Sequence, residues 1–302
     1  MFNLLESIKM TKSIIEVGMK EVKELTPDEF RRMQLVELDM IKELDRVCRK
    51  NNIKYVLVGG SLLGAIRHHG YIPWDDDADI AMLREDYERF KKHIKELDSD
   101  ICFFQDHETD PEYRWGYGKL RRTGTKYVRI GQEHLKCKTG IFIDIFPMDD
   151  VPLSIIGQML QDFHCFCLRK ILWSEVGRVT EKGFKRILFS FLSKIPTKFV
   201  YDQLKFYTKK SKNNTKNRVR TLLFPAAGKL YYKSKRLKDR YGMPKKWFLN
   251  RAEYEFEGNM FWGTKDYDAI LKHFYRDYMK LPPEEKRGQH SPCIEIEFPK
   301  EK

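Results

Sequence analysis

"VGGSLLGAIRHHGYIPWDDDADIAM", residues 58–82, decides how the chain is read. An apolar run ends in a glycine pair, a short helical pattern follows, and four aspartates then fall within five positions. "KYVLVGG" (54–60) has the texture of a short buried strand running into a glycine turn. Ser61 is placed to cap a helix over 62–68, and "ADIAML" (78–83) reads as the next strand. Asp77 and Asp79 stand two apart on it, so both side chains leave one face of the sheet. Carboxylates held that way repel one another unless a cation or a proton intervenes.

Outward from this stretch the pattern stays mixed. Upstream, Thr26, Pro27 and Glu29 form a capping box with proline at the first helical position. The helix they open runs to about Arg49, with Phe30, Met33, Leu35, Leu38, Ile41, Leu44 and Val47 on its apolar face. Downstream, an amphipathic helix begins at Arg84, and "ICFFQ", "WGYGKLRR", "KYVRI" and "IFIDIF" read as four further strands. Alternating helices and strands predict an α/β (α+β) fold, a mixed sheet flanked by helices. The last of these strands is apolar except for Asp144, whose charge is costly to bury unpaired.

Past Asp150 the texture changes to a largely helical, basic C-terminal region. Residues 182–246 hold twenty Lys or Arg against Asp202 and Asp239, whereas the 302-residue chain carries +13 in all. The remainder is therefore net acidic, and a polyanionic partner or an acidic membrane surface suits the basic part. Leu188, Phe189, Phe191, Leu192, Ile195, Phe199, Tyr201, Leu204 and Tyr207 are interleaved with these bases, as on a helix lying against an anionic surface or packing on a core. The expected division is residues 1–150 as a catalytic core with N-terminal helices, and 151–302 as a basic, acceptor- or membrane-facing region closing back on it. No recognised nucleic-acid motif is present, so none is expected as partner. Six cysteines without paired spacing imply reduced thiols, and Cys165, Cys167 and His164 read as helix packing. The first twenty residues lack the apolar core of a signal peptide, and no run reaches the roughly 20 apolar residues of a spanning helix. The expected location is the cytoplasm, with peripheral contact at the inner face of the plasma membrane.

The chemistry these parts suit is phosphate chemistry. A hard divalent ion, Mg2+ or Mn2+, takes carboxylate oxygens together with substrate phosphates, and Asp77, Asp79 and Asp144 could hold it. Gly59 and Gly60 let backbone approach a phosphate, and Ser61 would open a helix whose amides favour an anion. Arg67, His68, Lys119, Arg121 and Arg122 could neutralise the remaining charge. Singly each part is ordinary turn or strand-end chemistry; their order along the chain is specific.

That order is the nucleotidyltransferase-fold pattern, and the full stretch 59–82 resembles the signature of the LicD family. These are bacterial phosphorylcholine transferases related to the fukutin-related ribitol phosphate transferases of animals. "GKLRRTGT", "IFIDIFPMDD" and "YMKLPPEEKRGQH" also resemble that family, so the similarity spans roughly 54–150 and returns near 278–290. The resemblance implies metal-dependent transfer of a phospho-alcohol, most readily phosphocholine, from a CDP-alcohol to a hydroxyl of a cell-surface glycan, teichoic acid or lipid-linked precursor, releasing CMP. It implies Asp77 and Asp79 as metal ligands, with Asp75 as a further one, Asp144 as ligand and activator of the acceptor hydroxyl, and Asp76 as structural. Trp74, Trp115 and Tyr117 flank the site in sequence and are candidates to hold a choline headgroup. The alternative is ordinary nucleotidyl transfer from an NTP to a small molecule or RNA, releasing pyrophosphate.

Overall fold

The computed structural model describes residues 22–210, 217–224, 241–288 and 293–300. Its first helix, α1 (Pro27–Lys50), starts as its capping box dictates: Glu29 N donates to Thr26 Oγ1 at 3.2 Å and Thr26 N donates to Glu29 Oε2 at 3.0 Å. Met33, Val36, Met40, Ile41, Leu44 and Val47 form its buried face. Leu35 lies on the exposed side, and Gln34 and Glu37 are buried in its stead. These two polar side chains turn towards the aspartate-rich loop, so the buried stripe serves the site as well as the core.

The chain then forms β1 (Val56–Leu57), α2 (Gly59–His68), β2 (Asp79–Leu83) and α3 (Arg84–His93). β3 (Cys102–Gln105), β4 (Gly118–Arg122), β5 (Lys126–Arg129) and β6 (Phe142–Asp150) follow. α2 begins three residues earlier than the sequence pattern suggests. Its N-cap is Val58, which has no side-chain cap, so Ser61 lies inside the first turn and is not the capping residue.

Beyond Asp150 come three helices, α4 (Ile155–Thr180), α5 (Gly183–Leu192) and α6 (Thr197–Lys210). The chain then returns as β7 (Arg218–Arg220), β8 (Met243–Pro244), α7 (Lys246–Leu249), β9 (Arg251–Phe256), β10 (Asn259–Thr264), α8 (Tyr267–Tyr275) and β11 (Cys293–Glu297). The main sheet runs in the order β3-β4-β6-β2-β1-β10-β9, with β7 and β8 continuing from β6. β2 and β6 are parallel, as are β1 and β10, and the neighbouring pairs are antiparallel. β11 pairs with β5 in a second, two-stranded sheet. The fold is thus mixed α/β with a central mixed sheet flanked by helices.

One apolar core runs from α1 through β2 and β6 to Phe256 and Phe261, and a smaller one lies under α4 and α6 around Leu168, Leu172 and Val200. The described part of the basic stretch divides its side chains: Phe189, Val200 and Leu204 are buried, while Leu188, Phe191 and Phe199 are exposed. Residues 211–216 and 225–240 of that stretch lie outside the described residues. All six cysteines are free, five of them buried, and His164 meets the Tyr207 hydroxyl at 2.8 Å. Among the described residues no helix is long and apolar enough to cross a membrane.

Candidate active site

Three adjacent strands set one row of side chains across the sheet. Asp79 on β2 is in register with Asp144 on β6, and Asp144 is in register with Lys119 on β4. Partners in register point to the same side, so the three polar groups share one face. All are buried, Lys119 being 3%, Asp79 4% and Asp144 8% exposed. Such burial demands partners, and Lys119 supplies one by donating from Nζ to Asp144 Oδ1. Burial lowers the Lys119 pKa to about 8, against the opposing pull of Asp144.

Asp77 does not lie in the strand with Asp79. β2 proper begins at Asp79, and residues 75–78 form an extended lead-in whose last carbonyl, Ala78 O, accepts from Asp144 N at 2.8 Å. Asp75, Asp76 and Asp77 bring carboxylate oxygens within 4.8 Å of one another, the single such trio of possible metal ligands among the described residues. Asp77, Asp79 and Asp144 do not close to that distance. Asp79 nevertheless feels the others: burial first, then Asp77, Asp144 and Asp75, push its pKa well above the usual carboxylate range. Its Oδ1 is buried with no hydrogen-bond partner. An oxygen-only donor set beside one orphaned carboxylate oxygen fits a hard divalent cation, which Asp75, Asp76 and Asp77 would hold with Asp79 next to them. Asp76, expected to be structural, thus joins the set, and Asp144 stands apart, paired with Lys119.

The glycine pair serves these acids directly. Gly59 has φ +58°, and a Cβ there would fall 2.5 Å from Asp79 Oδ2; a Cβ on Gly60 would fall 2.0 Å from Asp75 Oδ2. Both glycines therefore let the turn close onto the two carboxylates. Ser61 also acts on this loop, its Oγ accepting from Asp79 N at 2.8 Å. Ser61 thus orients the acid at the head of β2.

The loop is braced from two sides. Gln34 Nε2 donates to Ile72 O at 3.3 Å and to Asp75 O at 3.0 Å. From the β9–β10 turn, Glu257 Oε1 accepts from Tyr71 N at 3.0 Å, and Arg31 pairs with the same carboxylate. Glu37, 2% exposed, faces the acidic loop; burial, then Asp77, Asp76 and Asp75, raise its pKa.

The basic candidates divide. Arg67 NH1 donates to Tyr278 O at 2.6 Å, tying α2 to the C-terminal segment. Burial and Arg67 lower the His68 pKa, and the His68 ring meets Trp74 edge-on at 6.3 Å. Arg121 is buried, with Nε on Gln105 Oε1 at 2.8 Å and NH1 on Gly140 O at 2.7 Å, so two of its donors hold the fold. Lys119 and Arg121 also line a small recess, partly open to solvent, with Trp115, Arg129 and Lys138.

The aromatic candidates are not one box. Trp74 carries the Arg287 guanidinium 5.0 Å from its ring centre, and Tyr117 has Lys119 Nζ at 5.3 Å. Trp115 packs on Tyr113. No ring contact among the described residues joins Trp74 to Trp115 or Tyr117. Sequence reasoning missed Tyr275, whose hydroxyl pKa is raised by burial and then by Asp75, Asp79 and Asp77. It also missed Glu37 and Arg287; Arg287 lies within the late 278–290 stretch, which was the available signal.

With this geometry in place, similarity to other proteins identifies the family. The "LicD/FKTN/FKRP, nucleotidyltransferase domain" model matches residues 52–170. The chain is 31% identical over 279 residues to the lipopolysaccharide cholinephosphotransferase LicD of Haemophilus influenzae, covering 86% of this chain and 95% of that protein. The chain belongs to the LicD family. It is accordingly a transferase. Two shorter similarities, 42% over 77 residues and 51% over 47, are to uncharacterised proteins of Rickettsia typhi and Rickettsia prowazekii. The LicD domain match takes in Gly59, Gly60, Asp77, Asp79, Lys119 and Asp144 together, whereas Tyr275 and Arg287 reach the site from outside it.

Proposed function

We propose that this LicD-family transferase moves phosphocholine from CDP-choline to a hydroxyl of a lipopolysaccharide sugar, or of a related surface or lipid-linked glycan, releasing CMP. The observation that carries the reading is the burial of Asp79 and Asp144 side by side next to the Asp75–Asp77 trio, in a chain similar over nearly all its length to a cholinephosphotransferase. The acceptor oxygen forms a bond to the choline-bearing phosphorus, the bond from that phosphorus to CMP breaks, and the hydroxyl proton passes to Asp144. Lys119 orients Asp144 for that role. Gly59 and Gly60 let the first turn of α2 close on Asp79 and Asp75, and Arg67 adds positive charge for the donor diphosphate. A bound Mg2+ or Mn2+ would supply the charge that in-line phosphoryl displacement requires. The choline headgroup is assigned to Trp74, where it would displace the Arg287 guanidinium; Trp115 and Tyr117 stand with other partners and are not part of that assignment.

Purified protein given Mg2+, CDP-choline and acceptor glycan should release CMP. Pyrophosphate release from CTP, with CDP-choline left intact, would overturn the proposal in favour of nucleotidyl transfer. Asp77→Asn, Asp79→Asn and Asp144→Asn should each lose nearly all turnover while keeping the native circular dichroism. Near-normal turnover in any of them removes that residue from the site. Trp74→Leu should raise KM for CDP-choline more than for CDP-glycerol, because only choline gains from the ring face; equal changes would take Trp74 out of headgroup recognition.

A further inference from the structure

Among the described residues, twelve of the seventeen exposed large hydrophobic side chains fall between Leu153 and Phe206, on or beside the three helices α4, α5 and α6. On α4, Ile156, Leu160 and Phe163 are 64–71% exposed and follow helical spacing along its first half. Its opposite side, Cys165, Leu168 and Leu172, packs on the small core. α4 is therefore apolar on both sides. On α5, Phe184, Ile187 and Phe191 make a second exposed stripe at positions i, i+3 and i+7, Phe184 being 78% exposed. Only Phe189 of α5 is buried, set against Gly177 of α4. The two helices pack through Phe189, and Lys170 of α4 lies between them, its ammonium 5.5 Å from the exposed Phe166 ring centre and 5.9 Å from that of buried Phe189.

Charge decides what such a face would meet. Residues 182–210 contain eight Lys or Arg and one acid, Asp202, which is paired with Lys198. Arg186 and Lys185, the latter 3.4 Å from Glu181, are exposed directly beside Phe184 and Ile187, and Lys194 lies over the Phe191 ring at 5.5 Å. Apolar stripes rimmed by cations that reach past the rings match a helix lying in a bilayer interface. A second copy would present the same positive charge and be repelled.

We infer that α4, α5 and α6 form a docking face for an anionic lipid bilayer, with Ile156, Phe163, Phe184 and Phe191 entering the acyl boundary and Lys185, Arg186 and Lys194 meeting lipid phosphates. The face lies outside the proposed catalytic residues and does not depend on which donor is used.

Flotation of the full-length protein with vesicles tests it. Binding should be strong to phosphatidylcholine vesicles containing phosphatidylglycerol, weak to phosphatidylcholine alone, and should fall as salt is raised. Lys185→Ala and Arg186→Ala should each weaken it about fivefold. Phe184→Ser with Phe191→Ser should weaken it at least tenfold, with an unchanged melting curve because both rings are exposed. Equal binding to both vesicle types, no binding at low salt, or full binding by the double serine variant would each overturn the inference. So would a lipid-free dimer, seen by light scattering, that the same serine substitutions dissociate.

Discussion

A methyl group at position 59 would stand 2.5 Å from Asp79 Oδ2, and the backbone there has φ +58°, a conformation that costs any residue but glycine. Gly59→Ala should therefore displace the carboxylate and lower kcat about a hundredfold or more. Its unfolding midpoint should fall far less, since the site and not the core is disturbed; an unchanged kcat would show that Asp79 tolerates displacement. Ser61 sits inside α2, and its hydroxyl satisfies the buried Asp79 N–H. Ser61→Ala leaves that donor unpaired and should cost about 1–3 kcal/mol in urea unfolding. Ser61→Thr, which keeps the hydroxyl, should recover most of it. At this scale the residue types were legible in the sequence, but their partners were not: the capping role expected of Ser61 fails because the helix starts at Gly59.

At the scale of elements, the acidic loop is held between α1 and the turn of β9 and β10. Glu257 has φ +53° and accepts from Tyr71 N while pairing with Arg31. Its turn also donates from Glu257 N to His69 O at 2.8 Å, where His69 closes α2 in the left-handed region. Glu257→Ala should leave Tyr71 N unsatisfied, costing about 1–2 kcal/mol, and should lower kcat by loosening the loop that delivers Asp75 and Asp77. Steady-state kinetics beside urea melts would separate the two effects; a stability loss with kcat untouched would confine Glu257 to the fold. β7 to β11 were not read, whereas the strands through β6 were readable as short apolar runs bounded by turn residues. The strand placement of Asp77 was not, because pairing starts where Asp144 N finds Ala78 O.

At the scale of the whole molecule, the basic helical layer joins the sheet through aromatic contacts. His107 stacks on Tyr201 of α6 at 3.9 Å and 12°, and the Tyr201 hydroxyl donates to Tyr113 O at 2.7 Å. Burial holds the His107 pKa below its ordinary 6.5; Lys91 and Arg84 push the same way, and Asp106 and Glu108 oppose. Below that value the unfolded chain takes up a proton that the folded chain refuses. Stability should thus be complete above about pH 6.5 and decline as pH falls from there towards the folded value. His107→Phe keeps the stack and should flatten that decline between about pH 8 and about pH 5.5 in urea melts. An identical pH profile in the variant would assign the decline to other groups.

By itself the sequence determined the class of fold, the strands that carry Asp79 and Asp144, and the family signature over 59–82, because periodicity, turn residues and local order are written in neighbouring positions. It could not determine that Asp79, Asp144 and Lys119 share one row, since register between β2, β6 and β4 depends on pairing across up to 65 residues of chain. Nor could it show that Tyr275 and Arg287 return to the acidic loop, or that the apolar stripes of α4 and α5 face outwards. Those are decided only when side chains compete for burial: the core takes Leu168, Leu172 and Phe189, and what it leaves outside becomes surface.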